Sequence, residues 1–408
     1  MSITVQPRIT VLGIDGSALD ANALARLRGA ALAVGGDRHL IEYAAEIGSE
    51  AVRTALGGDL TPVLDAIERA TGPVVVLASG DPAFFGIVRA LAERFGRKRL
   101  DVVPAVSSVA LLFARAALPW DDAVVVSAHG RDLARAVNTV LARPKVAILT
   151  APGAGPAEIA ASLGDARRTM VVGERLGTAQ ERVVEGPPAL IAAQQWADPN
   201  VVIVFDEAHA ITAKGAVFPR TAASRGWALD ESEFEHRDGM VTKAEVRALA
   251  LARLGPGQGD LVWDIGAGSG SVGIECARFG AAVIAIDGDP AAGRRIRANA
   301  DRHGVDVRIV AGNAAGALGN LPDPDAVFVG GSGDEFEPIL AEVAKRTSRA
   351  VVVALASIER VAKARETLAS AGFAVDVVLL QASRLRDIGE LSGFAAANPV
   401  FIVSGVRT

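Results

Sequence analysis

Short runs of apolar residues alternate with longer amphipathic stretches along most of the chain. In the N-terminal half, residues 9–14, 30–34, 74–78, 100–103, 123–127, 146–150, 170–172 and 201–205 are apolar at nearly every position and read as strands. Between them, 62–70, 83–95, 108–117 and 133–141 carry helical spacing. Continuous apolar strands separated by amphipathic helices predict parallel sheets covered on both faces. From 206 to 239 the rhythm breaks. Charges of both signs mix with isolated Phe218, Trp227 and Phe234, which predicts a packed linker.

The alternation resumes at Thr242. Thr242 and Glu245 have the T-x-x-E spacing of a capping box, predicting a helix that runs to Leu254 and stops at Gly255. Strands are predicted at 261–265, 282–286, 307–310, 326–329, 350–354, 374–381 and 400–404. Helices are predicted at 272–279, 290–303 (with Gly304 behind it), 335–344 and 358–371. One nucleotide-binding α/β sheet with two late strands accounts for this half. The expected organisation is a domain over 1–206, a linker over 207–239 and a second domain over 240–408, with no internal repeat.

Composition narrows the class. The chain has 408 residues, enough for two or more domains. Half of them are hydrophobic but only 4% are aromatic, so Ala, Val and Leu build the cores. A net charge of -5 provides no basic field to recruit nucleic acid. The basic residues are mostly arginine, which suits carboxylate clamps and equally follows from codon usage. The single cysteine, Cys276, excludes an internal disulfide or a cysteine metal cluster and reads as a core residue. Residues 1–10 lack the pattern of a signal peptide, and no apolar segment approaches the ~20 residues of a membrane span. A soluble, cytoplasmic protein without membrane or nucleic-acid partners is expected.

The chemistry concentrates in 261–270, Leu-Val-Trp-Asp-Ile-Gly-Ala-Gly-Ser-Gly. A buried strand ends there in alternating glycines, and a helix follows. Gly266, Gly268 and Gly270 would let a ligand lie on bare backbone, with Ala267 and Ser269 between them. The next strand ends in Asp287, where nucleoside-binding folds place the carboxylate that accepts from ribose hydroxyls. Two cofactors compete for this turn. Gly268-x-Gly270-x-x-Gly273 also fits the dinucleotide pattern, so NAD stays an alternative. Asp264, on the last turn of the strand, suits the ammonium and sulfonium of S-adenosylmethionine and would repel a pyrophosphate.

The first half has polar turns of its own at predicted strand ends. They are Ser79-Gly80-Asp81-Pro82, Pro104-Ala105-Val106-Ser107-Ser108, Ala128-His129-Gly130-Arg131-Asp132 and Gly173-Glu174-Arg175-Leu176-Gly177. Pro82 is expected as a first helical residue, Asp81 as a cap, and Ser107 and Ser108 as caps or ligand contacts. His129 reads as a turn histidine. Such turns at the carboxyl edge of a sheet are what a binding crevice requires.

These turns resemble the tetrapyrrole methylase family, over roughly residues 7 to 206. The resemblance implies a two-lobed α/β fold that binds S-adenosylmethionine between its lobes and methylates carbons of a porphyrinoid ring. The loop Gly13-Ile14-Asp15-Gly16-Ser17 is poorer in glycine and proline than the family's, so Asp15 and Gly16 are left out of the site. The second half resembles class I methyltransferases that methylate carbon 15 of a precorrin and decarboxylate its ring-C acetate. The matching residues are 239–247, the glycine turn, Asp287, Gly312-Asn313-Ala314 and 325–333. The two resemblances in this order imply methylation at carbons 5 and 15 with loss of carbon dioxide, in corrin-ring biosynthesis.

The resulting expectations are specific. S-adenosylmethionine binds at two sites per chain. One takes Thr242, Asp264, Gly266, Ala267, Gly268, Ser269, Gly270, Asp287, Asn313 and Ala314; the other takes Gly80, Asp81, Ser107 and Ser108. Gly330, Gly331 and Ser332 line the floor toward the precorrin substrate. Arg247 and Arg237 hold carboxylate arms or, as the competing role, make surface pairs. A sulfonium is already an activated donor, so alignment alone supplies ~7–11 kcal/mol. No Ser-His-Asp constellation and no metal are therefore expected, and no proton donor is assigned. A homo-oligomer is expected. The alternatives are a single-site small-molecule or RNA methyltransferase, an NAD-dependent oxidoreductase and a tetrapyrrole carrier.

Overall fold

The computed structural model describes residues 8–128, 132–211, 226–237, 241–331, 333–389 and 391–408. His129, Gly130, Arg131, Phe218, Gly239 and Ser332, all singled out above, lie outside the described residues. The chain divides into two compact units. The first ends at Glu207 but leaves out Asp121–Val124 and Gly130–Val146, which belong with Ala208–Thr408 in the second.

The first unit opens with β1 (Ile9–Ile14), α1 (Ala21–Arg28), β2 (Leu32–Gly35), α2 (Asp37–Glu42), β3 (Val52–Ala55), α3 (Thr61–Arg69), β4 (Val74–Ser79), α4 (Val88–Phe95) and β5 (Leu100–Val103). The strands form one sheet in the order β3-β2-β4-β1-β5, parallel throughout. Alternate residues of β4 serve opposite cores. Val74 and Val76 pack with Ile9 and Val11 on one face, and Val75 and Leu77 with Leu12 and Leu27 on the other. That double burial is why the strands are apolar at every position.

Along the chain then come α5 (Ser108–Arg115), β6 (Val124–Ser127), α6 (Leu133–Ala142), β7 (Lys145–Leu149), α7 (Pro156–Leu163), β8 (Thr169–Glu174), β9 (Arg182–Gly186), α8 (Pro188–Ala192) and β10 (Asn200–Phe205), of which α6 is grouped with the second unit. Their sheet runs β6-β7-β10-β8-β9. Here the expectation of wholly parallel sheets is corrected. Strand β8 pairs antiparallel with both β10 and β9. The short link from β8 to β9 permits only a hairpin, since a parallel return needs a crossover. The predicted helix over 83–95 is shorter too. Pro82 begins a turn rather than a helix, and α4 starts only at Val88. Gly86 folds back so closely on Pro82 that a Cβ would lie 2.3 Å from its carbonyl oxygen.

The second unit contains α9 (Ala244–Leu254), β11 (Leu261–Ile265), α10 (Ser271–Arg278), β12 (Ala282–Asp287), α11 (Ala292–His303), β13 (Arg308–Ala311), α12 (Ala314–Leu318), β14 (Ala326–Val329), α13 (Phe336–Arg346), β15 (Ala350–Leu355), α14 (Ile358–Ser370), β16 (Phe373–Leu380), β17 (Ser383–Ile388), β18 (Leu391–Ala396) and β19 (Val400–Arg407). Its seven-stranded sheet runs β13-β12-β11-β14-β15-β19-β16. The first five strands in that order are parallel, and β19 is antiparallel to both its neighbours. The order reverses between β11 and β14, which opens a crevice at their carboxyl ends. Strands β17 and β18 make a separate hairpin.

Two predicted caps behave as expected: Gly255 and Gly304 end α9 and α11 in left-handed conformation. The capping box does not form. Lys243 is the N-cap of α9 and makes no side-chain cap bond. The Ala244 N–H donates instead to Glu231 Oε1 at 2.8 Å, while Glu245 is held by Arg384. Among the linker aromatics, Phe234 is buried in the core and Trp227 is exposed.

Candidate functional site

In the second unit the glycine turn sits at the carboxyl end of β11. Gly266, Gly268 and Gly270 all have positive φ, at 68°, 57° and 74°. Gly266 is closed on its far side, because a Cβ there would lie 2.2 Å from the Gly331 carbonyl oxygen. Gly268 has no neighbour within 4 Å of such a Cβ, so its face is open to a ligand. Gly270 packs on Ile296 and is the left-handed N-cap of α10. Ala267 is half-buried, and its amide donates to the Ile286 carbonyl.

Asp287 ends β12 beside this turn. Its Oδ2 accepts from the Gly268 N–H and its Oδ1 from the Asp289 N–H, both at 2.7 Å. Each oxygen keeps a lone pair for a hydroxyl donor. The Gly312 N–H donates to the Asp287 carbonyl at 3.0 Å, which sets Asn313 next to the same strand end. Asn313 caps α12 through the Ala315 N–H, its Nδ2 donates to Glu335 Oε1, and Ala314 begins that helix. Gly330 and Gly331 lie at the end of β14, the first bonded to the Ile265 carbonyl and the second against Gly266. With Gly333, Ser357 and Arg360 they line a cleft of about 740 Å³, counting its open mouth.

Three expected contacts are corrected. Asp264 is 1% exposed, and its Oδ2 accepts from the Gly273 N–H at 2.8 Å. It ties β11 to α10 and is turned away from any ligand on the turn. Burial pushes its carboxyl up to about 7, against the Gly273 bond and with a contribution from Asp287. Arg247 makes neither a surface pair nor a substrate contact. It is fully buried, paired with Glu275 at 2.6 Å, donates to the Thr242 and Leu229 carbonyls, and lies over Phe234. Ser269 is 2% exposed and its hydroxyl has no partner, so it too points inward. Thr242 is half-buried, with its carbonyl taken by Arg247. Arg237 is exposed near Asp289.

The first unit has a cleft of about 500 Å³ where its two sheets meet. Asp15, Arg38, Ser79, Gly80 and Ser108 line one side, and Gly173, Leu176 and Asn200 the other. The loops close on one another by backbone contact. A Cβ on Gly13 would lie 2.6 Å from the Gly80 carbonyl oxygen, and one on Gly16 only 1.9 Å from that of Gly177. Gly80 and Ser108 are part of the cleft lining. The Asp81 and Ser107 side chains are not. Asp81 accepts from the Ala83 N–H, and Ser107 caps α5 through the Ala110 N–H.

Sequence reasoning missed Asp15, Arg38, His39 and Asn200. The scarcity of glycine in its loop weakens the sequence case for Asp15, yet its Oδ2 accepts from the Val106 N–H at 3.0 Å and joins two of the loops. Burial raises its pKa, but bonds from Ser17 and Val106 hold it below the usual carboxylate range. Arg38 and His39 follow Gly35-Gly36 at the end of β2, a glycine pair that was the available signal. Among the described residues, no three His, Cys, Asp or Glu side chains cluster to hold a metal, and no helix is long and apolar enough to cross a membrane.

Two family models match the chain, one in each half. Residues 22–191 match the tetrapyrrole (corrin/porphyrin) methylases, and residues 232–407 match the precorrin methyltransferase domain. A precorrin-6Y C(5,15)-methyltransferase [decarboxylating] from Sinorhizobium sp is 37% identical over 406 residues, 97% of this chain and 95% of the relative. A cobalt-precorrin-7 C(5)-methyltransferase from Salmonella typhimurium is 37% identical over 42% of this chain and 85% of its own length. A probable cobalt-precorrin-6B C(15)-methyltransferase (decarboxylating) from Pyrobaculum calidifontis is 35% identical over 43% of this chain and 94% of its own length.

Proposed function

The chain belongs to the precorrin-6Y C(5,15)-methyltransferase (decarboxylating) family, and from that premise we propose that each unit carries out one carbon methylation of a precorrin ring. The first unit, a two-lobed tetrapyrrole methylase, acts at carbon 5. The second, a Rossmann-like class I methyltransferase domain, acts at carbon 15 and removes the ring-C acetate carboxyl. Both use S-adenosylmethionine, at two sites per chain, in cobalamin biosynthesis.

The observation that carries the reading is the open face of Gly268 beside the Asp287 carboxylate. The residues fit the cofactor. Bare backbone at Gly268 and Gly331 leaves room for its amino-acid end, and Asp287 would accept from its ribose hydroxyls. When bound, the cofactor supplies an electrophilic methyl group. The protein's share is alignment and exclusion of water. The turn fixes the donor, and the cleft at Gly330, Gly331 and Ser357 holds the ring at the end of β14. The NAD alternative is disfavoured here. Asp264 takes the Gly273 N–H, one of the first-turn donors that a pyrophosphate on α10 would need.

Incubating precorrin-6B with the protein and S-adenosylmethionine tests the proposal. Mass spectrometry should show a gain of two methyl groups and loss of one carboxyl. An unchanged ring, with NADH bound instead, would sink it.

A further inference from the structure

Behind the cleft of the first unit, a lining hydroxyl leads to a buried imidazole and then to a carboxylate. Ser79 ends β4 and lines the cleft. Its Oγ lies 2.8 Å from Nε2 of His39, a residue of α2 that is only 3% exposed. The Nδ1 of the same ring is buried without a hydrogen bond, and Glu42 Oε2 stands 3.5 Å from it. Arg38 Nη2 approaches both His39 Nε2, at 3.4 Å, and Ser79 Oγ, at 3.3 Å. Arg38 donates to Ser79 Oγ, and a carboxylate only accepts, so the ring nitrogen facing Glu42 carries the proton and Nε2 keeps its lone pair for the Ser79 hydroxyl. The imidazole proton then sits on Nδ1, toward Glu42, and the Ser79 hydroxyl donates to Nε2.

We infer that Ser79 and His39 form a proton relay that collects the proton the ring substrate sheds during methyl transfer in the first unit. This rests on the reading of that unit as a carbon methylase. As the new carbon–carbon bond forms, the carbon–sulfur bond breaks and sulfur keeps the electron pair. The alkylated ring gains one positive charge and must lose one proton to become neutral. Ser79 Oγ accepts that proton while its own passes to His39 Nε2, and the imidazolium is balanced by Glu42. After product leaves, the proton returns through Ser79 to water. Ser79 is the catalytic residue, and His39 acts through it.

The surroundings suit an acceptor. Burial lowers the His39 pKa first, Arg38 lowers it further, and Glu42 raises it only in part. The imidazole is therefore neutral at neutral pH, as a proton acceptor must be. Arg38 and Glu42 are the charged groups beside it on its own helix. Arg53 of β3 donates to the Ala44 carbonyl, and β2 and β4 contribute no charged side chain.

The test uses the full chain and follows the two methyl additions separately by mass. Ser79→Ala and His39→Gln should lower kcat of the first-unit transfer by roughly 10²–10⁴-fold. KM for S-adenosylmethionine should be unchanged, and the second unit's methylation with decarboxylation should proceed normally. The acid limb of the pH–kcat profile should vanish in His39→Gln, and Ser79→Thr should restore most of the rate. Independently of turnover, ¹⁵N NMR of the protein alone should show His39 protonated on Nδ1. Wild-type kcat and pH profile in Ser79→Ala would overturn the relay. So would a proton on Nε2, or a loss confined to KM. If His39→Gln unfolds, Ser79→Ala and the NMR measurement decide. If the wild type adds only one methyl, the reading of the first unit fails, a result distinct from failure of the relay.

Discussion

Gly268 and Asp264, four residues apart, do opposite work. Gly268 is left-handed and open, so Gly268→Val adds a strain of about 1–2 kcal/mol and fills the space a ligand would use. The variant should fold, with circular dichroism unchanged, yet lose methylation at carbon 15 and the decarboxylation. Undiminished turnover would show that the ligand lies elsewhere. Asp264 is spent on architecture. Its carboxyl moves from an ordinary 3.8 up to about 7 on folding, through burial. Between those values the folded chain holds a proton that the unfolded chain has lost. Stability therefore falls as pH rises through that window, by about 1.4 kcal/mol per pH unit at most, and levels off above it. Asp264→Asn keeps an acceptor for Gly273 and removes the titration. In urea unfolding it should match the wild type near pH 4 and exceed it by a few kcal/mol at pH 8; parallel pH curves would refute this. The glycines were legible because only glycine suits three positive φ values in five residues. The inward turn of Asp264 was not, because a charged residue at a strand end gives no sign of which face it takes.

At the scale of elements, strands buried on both faces announced themselves and edges did not. Strand β11 is buried at all five positions, and its bounds match the apolar run. Strands β3 and β9 went unseen because each is the last in its sheet and mostly exposed, Val52 by 63%. The hairpin β17–β18 went unseen for a related reason: Leu385 and Phe394 pair across it but stand 61% and 76% exposed. Helix α9 depended on residues far away in the chain. Its Arg247 meets Glu275, which also accepts from the Ala228 and Leu229 N–H groups, so one buried pair fastens α9, α10 and the preceding segment. Arg247→Ala would strand that carboxylate, at a cost of about 3–5 kcal/mol. Denaturant unfolding should show the loss, while KM for the precorrin stays as in the wild type. A raised KM with full stability would return Arg247 to the substrate.

The whole molecule pairs two unlike α/β units, each with its own crevice at strand carboxyl ends. The general plan was legible in turns that cluster polar and glycine residues after apolar runs. The relay in the first unit was not, because Ser79 and His39 lie 40 residues apart and meet only through the adjacency of β2 and β4. Two crevices predict two ligands. Calorimetry with S-adenosylhomocysteine should return two sites per chain, and Gly268→Val should reduce them to one. A single site in the wild type would mean that one crevice serves another purpose.

Gly16 and Gly177 touch main chain to main chain, one from each lobe of the first unit. A single methyl group at either position is a wedge driven between the jaws, because it would overlap the opposite main chain and force the two loops apart. Alanine at Gly16 or Gly177 therefore offers a way to alter how large a guest the first crevice admits, by mechanics alone.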